Sequence, residues 1–125
     1  MVDPWGVRVL GIDHVQVAAP PGCEAAARSF YGEVLGLEEL AKPEPLAERG
    51  GCWFRVGGQE LHVGAEEPFA PARKAHPGFV VDDLVALEER LRAAGHEPRP
   101  DRLLPGTARC HVDDPFGNRL ELRQA

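Results

Sequence analysis

Long hydrophobic runs, an excess of basic residues and paired cysteines are all missing from this sequence of 125 residues. No apolar stretch approaches the ~20 residues that a membrane-spanning helix needs, and charged residues interrupt the N-terminal stretch Val7–Val17, unlike in a signal peptide. The formal net charge is -6, whereas a protein that binds nucleic acid normally carries a basic face. We therefore expect neither a membrane nor a nucleic acid as a partner.

Cysteine is scarce as well. The chain has only Cys23, Cys52 and Cys110, which are far apart and form no Cys-x-x-Cys pair. Their spacing argues against a zinc ribbon and against a thioredoxin-like redox motif. Widely spaced cysteines in odd number predict free thiols in a reducing compartment, and we expect the protein to be cytoplasmic.

Glycine and proline, by contrast, are plentiful. The 14 glycines and 12 prolines make up about a fifth of the chain, which is typical of short elements joined by many turns rather than of long helices. A length of 125 residues suits one compact domain, so we assign residues 1–125 to a single domain.

Hydrophobic periodicity in the first half predicts one strand, one helix and then further strands. Gly11–Ala18 alternates with a period of two, as in a half-buried strand, and Glu24–Leu35 has the pattern of an amphipathic helix that ends before Gly36. Residues 38–51 predict a short strand and a loop. The two glycines at 57–58 separate two further predicted strands, Cys52–Val56 and Glu60–Gly64, as in a hairpin.

The second half repeats this order after a linker at residues 65–75. Gly78–Val81 predicts a strand, Asp82 and Asp83 supply an N-cap for a helix, and Ala108–Asp113 and Arg119–Arg123 predict strands that flank a turn. The repeat spacing is roughly sixty residues. The sequence therefore predicts an α+β protein with two βαβββ modules, at about 11–64 and 76–123. Their eight strands would form a concave, incompletely closed sheet with the helices on its outer face.

Four polar side chains fall at matching points of the repeat, namely His14, His62, His76 and Glu121. If the apolar face of the sheet packs on the helices, strand alternation brings all four to the concave face. Imidazoles and a carboxylate that converge in a cup are typical of a metal site. Each histidine also has a plain structural interpretation, because a lone histidine in a strand is more often a structural residue than a ligand.

Several further residues have a candidate role in the same cup. Glu60 shares a strand face with His62, so it is either the ligand in its place, a proton-transfer group, or an exposed charge beside a turn. The side chains predicted to line a substrate cleft are Gln16, Trp53, Arg109 and His111. The alternative interpretation of Trp53 is a residue packed in the core, and that of His111 is a residue at the surface. Substrate selectivity would also depend on residues 41–51 and 65–75.

Several motifs together resemble one known superfamily across residues 11–123. They are Asp13-His14-Val15, Phe30-Tyr31, Leu35-Gly36-Leu37, His76 with Val81-Asp82-Asp83, and the closing run Asp114–Leu122 (DPFGNRLEL). In these motifs the chain resembles the vicinal oxygen chelate superfamily. That group includes glyoxalase I, extradiol dioxygenases, methylmalonyl-CoA epimerase, and fosfomycin- and bleomycin-resistance proteins.

The resemblance implies a divalent metal, with Fe, Mn, Ni and Zn all compatible with the residues. Its ligand positions fall on His14, His76 and Glu121, and a fourth position falls on His62 or Glu60. It further implies a glyoxalase-like enzyme that chelates oxygens of a small oxygenated or electrophilic substrate, with Glu60 and Glu121 as candidate catalytic residues. The alternative is a metal-free sequestering protein of the bleomycin-resistance type, and an extradiol-type dioxygenase is a third. A homodimer is implied, with each site completed by the partner chain.

Overall fold

The computed structural model describes residues 4–125 and contains two βαβββ modules in succession. The first module consists of β1 (His14–Ala19), α1 (Glu24–Ala27) continued by a π-helix (Arg28–Val34), β2 (Glu38–Leu40), β3 (Gly51–Val56) and β4 (Gln59–Ala65). The second consists of β5 (Gly78–Val81), α2 (Leu84–Ala93), β6 (Arg99–Pro100), β7 (Arg109–Asp113) and β8 (Arg119–Gln124). The predicted α+β class and the βαβββ repeat are confirmed.

Each module forms one four-stranded mixed sheet. The strand orders are β1-β4-β3-β2 and β5-β8-β7-β6, with β1 parallel to β4 and β5 parallel to β8. In both modules the last strand lies beside the first, because a helical connection leads away from the first strand and two antiparallel reversals bring the chain back. Within residues 4–125 no hydrogen-bonded ladder joins the two sheets. β1 and β5 are therefore edge strands, and the eight strands do not close into a barrel.

Some predicted boundaries need correction. The first strand begins at His14 rather than Gly11. Its partner β4 begins at Gln59, and the backbone N–H of Glu60 donates to the carbonyl of Asp13, so the ladder between the two strands starts there. The first helix exists over the predicted span, but beyond Ala27 it has π-helical geometry. This π-helical segment carries two consecutive core aromatics, Phe30 and Tyr31, which are both fully buried.

The second helix has the predicted cap and nearly the predicted apolar face. Asp83 accepts a hydrogen bond from the backbone N–H of Ala86 at 3.1 Å. Leu84, Leu87 and Leu91 are buried as expected. Ala94 is exposed instead, because it is the C-terminal cap of the helix and no longer belongs to the packed face.

A buried polar junction joins the two modules. The carboxylate of Asp114, 4% exposed, accepts hydrogen bonds from the Tyr31 hydroxyl at 2.6 Å and from the Asn118 side-chain amide at 2.9 Å. The same amide donates to the carbonyl of Ala18 at 2.7 Å. Burial and the neighbouring carboxylate raise the pKa of Tyr31 well above its ordinary value, so its hydroxyl remains a donor. The closing turn of the second module therefore fixes the helix and first strand of the first.

No helix in residues 4–125 has the length and apolar character that crossing a bilayer requires.

Candidate functional site

Three side chains of the second module form a group with the composition of a metal site. His76, His111 and Glu121 each offer one ligand atom, and these atoms lie within 4.8 Å of one another. His76 Nε2 is 3.4 Å and His111 Nε2 is 3.6 Å from Glu121 Oε1. Two imidazoles and one carboxylate form a donor set that suits a divalent transition metal.

Strand alternation explains how this group forms. Leu120 and Leu122 point into the core, so Glu121 between them faces the concave side of the sheet. His111 lies directly opposite Glu121 in the β7–β8 ladder. His76 precedes β5, and its Nδ1 lies 2.8 Å from the carbonyl of Lys74. A carbonyl only accepts, so Nδ1 carries the proton and Nε2 is left to bind a cation.

A charged pair supports the same group from one side. Arg109 Nη2 is 2.9 Å from Asp101 Oδ2, and Arg109 Nη1 is 3.5 Å from Glu121 Oε1. The backbone N–H of Leu103, with a further contribution from Arg109, lowers the pKa of Asp101. Arg109 Nε is buried and has no hydrogen-bond partner within the described part of the chain. Sequence reasoning missed Asp101, because it belongs to a loop and no periodicity indicates where its side chain points.

The first module carries a different group, a stack of three rings. The His62 ring lies 3.8 Å from the Trp53 ring at an interplanar angle of 2°, and 4.3 Å from the His14 ring at 15°. His62 is 5% exposed, and its Nε2 lies 2.9 Å from Glu60 Oε1. His14 Nδ1 lies 2.9 Å from Asp13 Oδ2, and 47% of the His14 side chain is exposed.

The residues expected to converge therefore fall into two groups within one chain. His76 and Glu121 lie together, joined by His111, which was predicted for the cleft. His14 and His62 also lie together, but on the other sheet. The two groups thus belong to different sheets, which share no strand ladder within residues 4–125.

Two clefts contain further predicted residues. Gln16 and Trp53 line a cleft of about 240 Å³ together with Lys42 and Arg49 from the loop after β2. A Cβ at Gly64 would lie 2.6 Å from the side-chain nitrogen of Gln16, so a larger residue there would displace the Gln16 side chain. A second cleft, of about 330 Å³, is lined by Glu60 and His76 among others, so it lies where the two modules meet.

The thiols lie away from this chemistry. Cys23, Cys52 and Cys110 are free and buried. Burial raises the pKa of Cys52 to about 11 and that of Cys110 to about 11. Both thiols are therefore protonated at neutral pH and are not nucleophiles.

The chain has two open sheets built from βαβββ modules, and histidine and carboxylate side chains lie at matching positions in them. These features define a class of two-module proteins with a candidate metal centre. The comparison with protein families then gives the family. The model of the Glyoxalase/Bleomycin resistance protein/Dioxygenase superfamily matches residues 11–122. The chain belongs to this superfamily, as its motifs predict.

Solved structures of similar fold span nearly the whole chain. A protein from Bacillus anthracis assigned to the glyoxalase family is 51% identical, with a TM-score of 0.91 over 94% of this chain and 97% of that chain. Lactoylglutathione lyase from Agrobacterium tumefaciens is 23% identical, with a TM-score of 0.72 over 94% and 95%.

A mutant of the fosfomycin resistance protein FosX from Listeria monocytogenes, solved with Mn(II) and 1S,2S-dihydroxypropylphosphonic acid, is 14% identical, with a TM-score of 0.78 over 94% and 94%. At such low identities the lyase and FosX share the fold with this chain. A search of curated proteins gave no match.

Proposed function

We propose that the protein is a divalent-metal-dependent enzyme of the glyoxalase type that acts on a small oxygenated or electrophilic molecule. The group formed by His76, His111 and Glu121 carries this proposal. Its donor set suits Fe(II), Mn(II), Ni(II) or Zn(II). A metal bound there supplies a Lewis acid that stabilises negative charge developing on substrate oxygens.

The proposed metal site takes its ligands from the first module and from the second. Of the three donors in that group, His76 and Glu121 are the proposed ligands from the second module, and His111 is proposed to face the substrate beside them. The first module supplies His14 and a fourth ligand, which is Glu60 or His62. Within one chain these two sets lie in separate groups, so we propose that each site joins the second module of one chain to the first module of another.

The unpaired edges of the chain support a homodimer of this kind. β1 and β5 each have a ladder on one side only within the described residues. The segment before β1 leaves Val9, Leu10 and Ile12 exposed at 94%, 91% and 63%. Exposed strand edges and apolar side chains of this extent favour pairing with a second copy.

The remaining roles, proton transfer and contact with the substrate, are proposed for side chains of the protein itself. Of Glu60 and His62, the residue that does not bind the metal is the proposed proton acceptor for the substrate. Arg109 and His111, beside Glu121, are proposed to contact the substrate from one side. Gln16 and Trp53 are proposed to contact it from the other. The FosX complex, which holds Mn(II) and a diol phosphonate, supports a ligand with adjacent oxygens in this fold.

One observation favours a second candidate, a metal-free protein that sequesters a ligand, as bleomycin-resistance proteins do. Glu121 already has cationic neighbours, because Arg109 Nη1 lies 3.5 Å from Oε1 and Arg123 Nε lies 3.9 Å from Oε2. These contacts balance the carboxylate charge without a metal. An extradiol-type dioxygenase has no specific observation in its favour.

Elemental analysis of the purified protein separates the two functions. The enzyme proposal predicts stoichiometric divalent metal that is lost in His76→Ala and Glu121→Gln. His96→Gln is the matched control, because His96 packs on Phe30 away from the site. Protein that stays metal-free after incubation with each of the four metals, with an intact fold, would favour the sequestering protein.

A further inference from the structure

The loop between β2 and β3 carries two cations that have no carboxylate partner in the described part of the chain. The first module has four basic side chains. Two of them, Arg28 and Arg55, pair with glutamates of β2 at 2.8 Å and 3.3 Å. The other two, Lys42 and Arg49, form no ion pair within the described residues, and both line the cleft of about 240 Å³. In a chain with a formal net charge of -6, such a cleft attracts anions locally.

The loop itself holds Lys42 in place. The Lys42 ammonium donates to the carbonyl of Arg49 and, at 3.3 Å, to the carbonyl of Gly50. The backbone N–H groups of Leu46 and Arg49 donate to the carbonyls of Pro43 and Leu46, so the loop folds back on itself. An ammonium has three N–H donors. Two of them therefore fix the Lys42 side chain, and the third remains for a ligand.

The strands beside the loop supply a further donor and an aromatic wall. Gln16 on β1 and Trp53 on β3 are the register partners of His62 on β4, and both line the cleft. The Gln16 amide lies against the backbone of Gly64, where the lack of a side chain leaves room for it. Within residues 4–125 the Gln16 side chain makes no hydrogen bond, so its N–H groups are available to a ligand.

The acidic side chains near the loop line a separate cleft of about 500 Å³. Glu24, Glu39 and Glu48 contribute to that cleft in addition to the two cations. Its carboxylates repel an anion, whereas no aspartate or glutamate lines the smaller cleft. An anion is therefore favoured on the side of the loop that faces Trp53.

We propose that the cleft of about 240 Å³ binds an anionic group of the ligand, either a carboxylate or a phosphoryl group, through Lys42, Arg49 and Gln16. A site for a whole ligand is larger, ~300–1,000 Å³, so the cleft holds one group only. The Trp53 ring stacks on His62 at 3.8 Å, which places the cleft one ring away from the first-module group. The inference deepens the proposed function and rests on it in one respect, namely that cleft and metal site take the same molecule.

Small probes of similar shape and different charge test the cleft in metal-free protein. Acetate and acetamide differ in charge but hardly in shape, and methylphosphonate supplies a phosphoryl anion. Binding is measured at constant ionic strength by the nuclear magnetic resonance shift of the Trp53 indole N–H, which Trp53→Phe assigns. We expect saturable shifts with acetate, methylphosphonate or both, and none with acetamide. The anion that binds more tightly identifies the group as a carboxylate or a phosphoryl group.

Arg49→Gln removes one cation whose side chain does not brace the loop. We expect the anion to bind about tenfold more weakly in this variant, as when a charged hydrogen bond is lost. The matched control is Arg55→Gln, the same change at an arginine of the same module that pairs with Glu38 outside the cleft. It should bind the anion as the wild type does.

Four results would overturn the anion site. They are no shift with either anion, equal shifts with acetate and acetamide, unchanged affinity in Arg49→Gln, and an equal loss in Arg49→Gln and Arg55→Gln, which would indicate general charge attraction. None of these measurements needs a metal. Protein that binds the anions but no divalent metal would therefore contradict the proposed function alone, and the anion site would stand.

Discussion

The two modules repeat one strand order, yet the side chains at matching register positions of their sheets have different chemistry. The cross-strand pair in the first module is Trp53 and His62, and the corresponding pair in the second is His111 and Glu121. One pair stacks rings, and the other brings an imidazole to a carboxylate. The repeat thus fixes where a polar side chain faces the cup, while the residue type decides whether rings stack there or an imidazole meets a carboxylate.

The two modules also differ in the hydrogen bond that joins each helix to its sheet. In the first module the carboxylate of Glu24 accepts a hydrogen bond from the backbone N–H of Gly51 at 2.6 Å. In the second, the neutral amide of Gln124 accepts one from the backbone N–H of Leu84 at 2.9 Å. The first connection is ionisable and the second is not, so the modules should respond differently to acid.

The largest expected effect concerns His76 and Glu121, the proposed metal ligands of the second module. Glu121→Gln keeps the shape of the side chain but removes its charge, so we expect Mn2+ affinity to fall by more than about 100-fold, beyond the range of residues that only orient ligands. Calorimetric titration with Mn2+ measures this change. Glu89→Gln, on the exposed side of α2, is the control. A loss below tenfold in Glu121→Gln would mean that the second module does not hold the metal.

The junction between the modules should give the next largest effect. Asp114→Ala leaves the buried Tyr31 hydroxyl and three further donors without their acceptor, so we expect the free energy of unfolding to fall by about 3 kcal/mol or more. Tyr31→Phe removes one of these bonds and should cost about 1 kcal/mol. Urea denaturation measures both. Equal losses in the two variants would contradict a shared junction.

A smaller, pH-dependent effect should distinguish the two helix connections. The backbone N–H of Gly51 lowers the pKa of Glu24. A lowered folded pKa contributes stability that is present above the unfolded pKa, about 4.3, and is lost as pH falls through the folded pKa. We expect Glu24→Gln to destabilise the fold by about 1 kcal/mol at pH 7 and by less at acidic pH.

The matched variant in the second module is Gln124→Ala, which removes a neutral acceptor from Leu84. Its cost in the free energy of unfolding should be the same at pH 7 and at acidic pH. Urea denaturation at a series of pH values measures both variants. A pH-independent cost for Glu24→Gln would contradict the difference between the modules.

The smallest expected effect is an absence of reaction. Each module buries one cysteine whose pKa is raised to about 11, Cys52 in the first and Cys110 in the second. We expect neither to react with a thiol reagent at pH 8 unless the protein is unfolded, which a colorimetric assay with and without denaturant tests. Rapid labelling of one cysteine in native protein would show that its module opens locally.

Local patterns in the sequence predicted much of the fold and half of the candidate site. The run Leu120-Glu121-Leu122 fixes by alternation which way Glu121 points, and Asp83 caps its helix through a contact three residues away. Both features depend only on residues close together in the sequence. The turn at Gly36, with φ of 75°, is likewise predicted from its immediate neighbours.

The other half depends on contacts between distant elements, which no short pattern encodes. His111 joins His76 and Glu121 because β7 and β8 pair in one register rather than in its neighbour. Asp101 reaches Arg109 from a loop. His62 stacks between two rings because β1 and β3 flank β4. The sequence predicted that His62 and His111 face the cup and gave no sign of Asp101, and the partners of all three follow from tertiary packing.

The central claim is that each metal site joins the second module of one chain to the first module of another. The variants His14→Ala and Glu121→Gln each damage every site of their own homodimer. When they are mixed and allowed to exchange subunits, each mixed dimer regains one intact site, so elemental analysis should recover about one quarter of the wild-type metal content per chain. If the site is formed within a single chain, the mixture will hold no more metal than the separate variants, and the claim fails.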